Sequence, residues 1–264
     1  MKETNEERAA RYAELEASYP TMDAQQYKTR SRRSMLTGTA AALAAFTGWR
    51  WIQNSPDDLN IPQPLRDVHE ANESLWRTLY REDKLAPTFD RSESSMIRVN
   101  GRRGIDNEID LDAWTMSVRS EGDEIASYDM SVVEGLEKQE MTIEHYCVEG
   151  WSHIITWGGV RFSDFVAANH PEMIENPPAF VSLETPDRGF YVGLEWAAMM
   201  HDQTLLAFEV QGEPLPQDHG APLRLVTPLK YGIKQLKRIG VIEFTATQPA
   251  DFWAERGYDW YSGL

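Results

Sequence analysis

The chain is 264 residues long, 41% hydrophobic and 11% aromatic, enough to bury a sizeable core in one large domain or two small ones. Its formal net charge of -16 argues against nucleic acid as a partner, because phosphate neutralisation needs clustered Lys and Arg, and an anionic membrane surface is disfavoured for the chain as a whole. The single cysteine, Cys147, excludes an internal disulfide and leaves packing, reactivity or metal ligation as its roles.

In chain order, the first thirty residues carry Glu3, Glu6, Glu7, Arg8, Arg11, Glu14 and Glu16 and no glycine, which reads as a solvated, partly helical leader. Ser31-Arg32-Arg33-Ser34-Met35-Leu36-Thr37 follows, and then an uncharged, alanine-rich stretch to Trp49. Paired arginines, a spacer, two apolar residues and a mild apolar segment resemble a twin-arginine export signal, a route that carries proteins already folded and often loaded with a cofactor. The segment is too uniform around its circumference to be an amphipathic face. A cleavage pattern is only loosely available at Ala42-Leu43-Ala44, so an uncleaved tether is the alternative to release into the periplasm. Against a tether, the span from Ser34 to Ile52 is short for a transmembrane helix.

Asn54 to Pro64 reads as a linker, Asp67 to Lys84 as a helix, and Leu85 to Asp90 as its break. Met96 to Asn100 reads as a strand ending at Gly101. Short strands joined by turns are expected beyond it, clearest at Thr204–Val210, Leu223–Thr227 and Val241–Thr247, with helices only at places such as Phe162–Ala168 and Leu194–Met200. The organisation expected is a leader over 1–53, a linker and helix over 54–84, and a folded α+β, strand-rich mixed domain over 85–264. No GxGxxG and no GxxxxGK[ST] occurs, so the usual dinucleotide and nucleoside triphosphate sites have no support.

Two features carry chemistry. Glu140 to Tyr146 mixes β-branched and polar residues as a half-buried strand does, which puts Cys147 where that strand runs out into a Gly150-Trp151 turn. A buried cysteine serving as a small hydrophobe and a reactive or ligating thiol fit this segment equally. The other feature is a carboxylate-free run between Asp218 and Glu243 that holds His219, Arg224, Lys230, Lys234, Lys237 and Arg238, punctuated by Gly220, Pro222, Pro228 and Gly232. Such cations on loops and strand ends suit an anionic group, Arg as a fork and Lys as a point charge. The plainer reading is a basic face that pairs with acids elsewhere in this acidic chain.

Taken together, Cys147-Val148-Glu149-Gly150-Trp151-Ser152, Trp157-Gly158-Gly159-Val160, Gly212-Glu213-Pro214-Leu215-Pro216 with Asp218-His219-Gly220, Pro222 and Arg224, and Lys230-Tyr231-Gly232 with Lys234 and Lys237 resemble the molybdopterin-dependent oxidoreductases of the sulfite oxidase superfamily. The tail from Trp253 and Gly257 to Leu264 fits the same pattern, and the resemblance runs from about Leu85 to the end. It implies a molybdenum-molybdopterin cofactor with Cys147 as the protein ligand to the metal, a soft thiolate suited to it. It further implies pterin and phosphate contacts from His219, Arg224 and Lys237, with Gln235 beside them, and cofactor contacts from Thr185 and Asn100. Glu149, two residues past the ligand, could tune the metal's surroundings or relay a proton. Asp187, Arg188 and Tyr191 are expected near the substrate mouth, and His201 as a structural histidine. His145 is expected to face away from Cys147, so no His-Cys metal pair is expected.

The resemblance implies two-electron oxygen-atom transfer on a small sulfur compound or sulfoxide. Electrons would pass through a haem-containing membrane subunit or a soluble cytochrome, since the sequence ends where the molybdenum domain ends and no appended dimerisation or haem domain is expected. Where methionine-sulfoxide-reducing members place aromatic residues after the asparagine, this chain has Gly101-Arg102-Arg103-Gly104; Arg102 or Arg103 could supply an anion pocket of the sulfite-oxidising kind, although the spacing matches poorly. Two other classes stay open: a hydrolase or transferase with Cys147 as nucleophile, which lacks an evident histidine partner, and an exported anion-binding module without catalysis.

Overall fold

A computed structural model describes residues 4–18, 23–79, 81, 85–95 and 98–263. The chain divides into two compact units, residues 1–55 and 56–264. The first is helical. It holds α1 (Asn5–Ser18) and α2 (Ala24–Asn54). Asp23 starts α2 by accepting hydrogen bonds from the backbone N–H groups of Gln25 and Gln26, which would otherwise be orphaned at a helix N-terminus. Arg32, Arg33 and the uncharged stretch that follows lie within α2, none of whose residues is buried, and Met35, Leu36, Phe46 and Trp49 are exposed. Alanine, glycine and threonine dilute its large apolar residues, and among the described residues no helix is long and apolar enough to cross a membrane.

The second unit begins inside the segment expected to be a linker. Strands β1 (Asp57–Asp58) and β2 (Ile61–Pro62) form a small antiparallel hairpin, and α3 (Gln63–Leu79) starts four residues before the expected Asp67. Tyr80 and Glu82 to Lys84 of the expected helix lie outside the described residues. Helix α3 is mounted by its charged side. Arg66, only 4% exposed, donates to the carbonyls of Tyr258 and Ala254 at 2.9 Å each, and Arg77 pairs with Glu195 at 3.2 Å. The opposite arc of Leu65, Val68, Leu75, Trp76 and Leu79 is exposed.

Two five-stranded sheets follow, as the α+β, strand-rich expectation requires. One is ordered β4 (Asp123–Tyr128), β3 (Met116–Ser120), β12 (Val241–Thr245), β7 (Phe180–Glu184), β8 (Tyr191–Glu195); only the β3 and β12 pair is parallel. The other is ordered β10 (Glu213–Pro214), β9 (Leu205–Val210), β6 (Ser152–Arg161), β5 (Gln139–Tyr146), with β11 (Arg224–Val226) also pairing β9. Short helices α4 (Met130–Glu134), α5 (Phe162–Asn169), α6 (Glu172–Glu175) and α7 (Trp196–Met199) connect them. The sheets share a core to which Val160, Leu206 and Leu225 contribute from one and Val118, Val181, Leu194 and Phe244 from the other, all at most 1% exposed. A second cluster around Ile143, Ile155, Trp157 and Leu205 supports the β5–β6 side.

Two expected elements differ. Leu194 and Glu195 do not begin a helix: they complete β8, paired with Val181 and Phe180, and only Trp196–Met199 turns helical. Met96 and Ile97 of the strand expected at 96–100 lie outside the described residues, while Arg98, Val99 and Asn100 run without strand pairing. Their backbone serves a different partner, because the Asn100 and Gly101 carbonyls accept hydrogen bonds from Lys237 Nζ.

Candidate functional site

Strands β5 and β6 register Tyr146 against Ser152, so residues 147–151 form the connecting loop. Cys147 opens it and is tied at both backbone ends: its N–H donates to the Trp151 carbonyl at 2.9 Å, and its carbonyl accepts from Gly150 N–H at 3.0 Å. That loop fixes the thiol at one wall of a cavity of about 390 Å³, where Cys147 is 8% exposed. Asn100, Glu149, His219, Arg224, Gln235 and Lys237 line the same cavity, so seven of the eight residues singled out in the sequence are brought together.

Thr185 is the eighth and is not on that wall. It is fully buried, with its hydroxyl donating to Asp187 Oδ1 at 2.6 Å and accepting from Phe190 N–H at 3.1 Å, and its methyl group lies against Gly104. Its turn instead sets Phe190, which does line the cavity, whereas Asp187, Arg188 and Tyr191 do not. His201 is buried and accepts from the Gln203 N–H at Nδ1, a structural arrangement as expected.

The basic run separates into two sets. Lys230 and Lys234 are each at most 2% exposed and pair with Glu195 at 2.9 Å and Asp251 at 2.6 Å, while Arg238 donates to the Ala221 and Asn107 carbonyls and to Gln217 Oε1. The expected pairing with acids elsewhere therefore holds for Lys230 and Lys234, as buried ion pairs and not as a solvated face. His219, Arg224 and Lys237 turn instead to the cavity.

Arg224 is the most informative of them. It is 4% exposed, its Nη1 and Nη2 donate only to the His219 carbonyl at 3.1 Å and the Gln235 carbonyl at 3.4 Å, and its guanidinium lies 4.6 Å from the centroid of the Trp157 ring. Among the described residues no carboxylate pairs with it, and burial pushes its pKa down to about 9. A buried charge without a counter-charge is costly, so the wall is built for an anion. The same positive field acts on its neighbours. His219 is held at about 4, by burial first and then by Arg224 and Lys237, and Lys237 at about 8, by burial and then by Arg224.

Lys237 Nζ spends its hydrogens on the carbonyls of Asn100 at 2.7 Å, Gly101 at 2.9 Å and Asp218 at 3.1 Å. It thus joins the 98–101 segment to the 218–220 loop and contributes charge more than free donors. Gly220 permits that joint, since its φ of +101° is a left-handed conformation and a Cβ there would meet the Lys237 backbone at 2.8 Å. The chain's tail braces the loop from behind: Lys230 Nζ donates to the Tyr261 carbonyl at 2.9 Å and the Tyr231 N–H to the Ser262 carbonyl at 3.1 Å.

Asn100 Nδ2 donates to Cys147 Sγ at 3.7 Å. Glu149 accepts from Trp151 Nε1 at 2.8 Å, with the Arg98 guanidinium 4.9 Å from the centroid of the Trp151 ring. Among the lining residues not expected as site residues are Arg98, Phe190, Trp253, Tyr258, His153 and, above all, His145. The expectation that His145 faces away from Cys147 is overturned, because residues two apart on an extended strand share a face. His145 is half-buried, its Nδ1 lies 3.1 Å from Gln235 Oε1, and burial, with Arg224 next, lowers its pKa to about 4, so the ring is neutral. The alternation was the signal that could have found it.

Among the described residues no three His, Cys, Asp or Glu side chains converge to hold a metal ion. The chain offers one thiol, an uncompensated cationic wall and a cavity between them. That set fits a group that brings an anion and most of its own metal ligands.

The family model described as oxidoreductase molybdopterin binding domain matches residues 103–253. A protein of Azospira oryzae, provisionally named as protein-methionine-sulfoxide reductase subunit YedZ1, is 27% identical over 78% of this chain and 79% of its own length. The protein-methionine-sulfoxide reductase catalytic subunit MsrP of Xanthomonas axonopodis pv. citri is 35% identical over 54% of this chain and 48% of its own, so the chain spans about half of that relative's length. The crystal structure of the sulfane dehydrogenase SoxCD from Paracoccus pantotrophus superposes with a TM-score of 0.47 at 18% identity, covering 54% of this chain and 40% of that one.

Proposed function

The chain belongs to the oxidoreductase molybdopterin-binding domain family, whose model matches more than half of it, and on that premise we propose that it is the catalytic chain of an exported sulfoxide reductase. The observation that carries the cofactor assignment is Arg224, buried without a counter-charge on the cavity that also holds the only thiol. Cys147 would ligate the molybdenum, Arg224, Lys237 and His219 would hold the pterin and its phosphate, and Asn100 and Gln235 would border it. When bound, the cofactor supplies two-electron oxygen-atom exchange with a small sulfur substrate.

The chain's own residues orient and polarise. Phe190, Trp253, Tyr258 and Trp151 line the cavity, and aromatic rings make favourable contacts with the sulfur of a thioether or sulfoxide. Arg98 and Arg103, on the same lining, can donate to the sulfoxide oxygen. Glu149, held by the Trp151 indole, is the carboxylate on that lining and the candidate to relay from solvent the two protons that, with two electrons from the redox partner, would release the oxygen as water. Reduction is favoured over sulfite oxidation because the relatives are named as methionine sulfoxide reductase components and the mouth is aromatic. Turnover tests this. With an artificial electron donor, methionine sulfoxide should be reduced, and sulfite should not be oxidised with an artificial acceptor; the reverse preference overturns the substrate assignment.

Export by the twin-arginine route, with or without a retained tether, and electron delivery from a haem-containing membrane subunit or soluble cytochrome belong to the same proposal; the name catalytic subunit of the MsrP relative supports a second subunit. A cysteine nucleophile is less well supported, because the hydrogen-bond partner of the Cys147 sulfur is the Asn100 amide, which cannot act as a base.

A further inference from the structure

The tautomer of His145 is fixed by its neighbours. Gln235 Nε2 donates to two backbone carbonyls, Thr227 at 2.8 Å and Lys230 at 3.3 Å. Carbonyl oxygens only accept, so the amide has one orientation and its Oε1 faces His145 Nδ1. That oxygen also only accepts. The proton shared with Gln235 is therefore on Nδ1, the tautomer that leaves Nε2 as a hydrogen-bond acceptor.

Among the described residues no hydrogen bond reaches Nε2, and the residue lines the cavity. Gly232 sets no side chain against that edge of the ring, where a Cβ would sit 2.6 Å from Nε2. The position is specific. His145 stands two residues before the thiol, its partner Gln235 gives its backbone carbonyl to Arg224, and the ring shares one cavity with the sulfur and the cationic wall. Much of the polar lining around it donates: Arg98, Arg103, Arg224 and Asn100 offer N–H groups to oxygen or sulfur. A pterin carries ring and amino N–H groups as well as acceptors, and a rigid acceptor is needed to meet one.

We propose that His145 is a cofactor-orienting residue, whose Nε2 accepts a hydrogen bond from an N–H of the bound pterin while Gln235 holds the ring in the required tautomer. The inference rests on the cofactor assignment above and adds the contact that sets the pterin's rotation within the cavity. One neutral hydrogen bond is worth about a factor of ten in retention.

The test measures pterin per chain, by fluorescence after oxidative release, in wild type, His145→Phe and His145→Gln purified from one cofactor-producing host and dialysed alike. Wild type should retain its pterin, His145→Phe should keep about a tenth or less, and His145→Gln, which restores an acceptor, should recover a large part. Nitrogen-15 spectra of the wild-type histidine rings, with and without cofactor, should show Nδ1 protonated in both states and the Nε2 resonance moving upfield on loading. Wild-type retention in a folded His145→Phe overturns the inference, as does a loaded ring protonated on Nε2. Should His145→Phe not fold, the wild-type spectra decide alone. Absence of pterin from wild type as well removes the cofactor assignment itself, an outcome distinct from the failure of His145.

Discussion

Arg224→Met separates a residue kept for the fold from one kept for a ligand. Holding the buried guanidinium charged costs about 5 kcal/mol, the fall of its pKa from the ordinary guanidinium range to about 9 taken at about 1.4 kcal/mol per unit. Against this, the substitution loses three hydrogen bonds, to the His219, Gln235 and Leu225 carbonyls, the last two long at 3.4 and 3.5 Å, worth together about 3 kcal/mol, and the stacking on Trp157, worth about 2 kcal/mol. The terms nearly cancel, so the cofactor-free variant should melt within about 4 °C of cofactor-free wild type. The anion dependence should differ sharply. Millimolar phosphate or the intact cofactor should raise the melting temperature of wild type and leave the variant unmoved. A thermal melt series with and without phosphate reads both. A drop of more than about 10 °C in the cofactor-free variant, with the same phosphate response as wild type, would show that Arg224 is structural and refute the reasoning.

Arg66→Ala should destabilise the second unit by about 2–4 kcal/mol in urea unfolding, because it strips a buried charged donor from the Tyr258 and Ala254 carbonyls; a loss below about 1 kcal/mol would mean that α3 contributes little. Glu149→Gln keeps an acceptor for the Trp151 indole and should leave metal content intact while lowering turnover about 100-fold; unchanged turnover would remove Glu149 from the proton path. His219 is neutral down to about pH 4 in the folded chain but titrates near 6.5 when unfolded, so the unfolded state binds more protons between those values. Cofactor-free protein should therefore lose stability as pH falls from about 6.5 to 4. The bound anion, by raising the folded pKa, should flatten that slope; equal slopes with and without cofactor would contradict the assigned field.

What the sequence made legible was local. Cys147 and the turn after it are specified by β5, Gly150 and Trp151 within a dozen residues, and the loop that presents the thiol follows from them. The basic run also announced an anion site, yet which cations reach it depends on partners far away in the chain. Lys230 is claimed by Glu195 and Lys234 by Asp251, acids whose nearness follows only from the packing of β8 and the tail against that loop. The parallel pairing of β3 with β12 joins segments more than a hundred residues apart and leaves no local mark. Thr185 was a reasonable expectation from resemblance, but its hydroxyl is consumed by its own turn. Helix α3 inverts the usual rule, presenting its charged side to the domain, so its apolar stripe points away from the core that periodicity would assign to it.

The central claim is that Cys147 and the cationic wall hold a molybdenum-pterin. Elemental analysis of the chain purified from a host that makes the cofactor, beside Cys147→Ser, tests it most directly. About one molybdenum per wild-type chain is expected, with the metal lost or its Mo(V) paramagnetic signature altered in Cys147→Ser. Wild-type protein free of molybdenum, or a variant that keeps the metal with an unchanged signature, would contradict it.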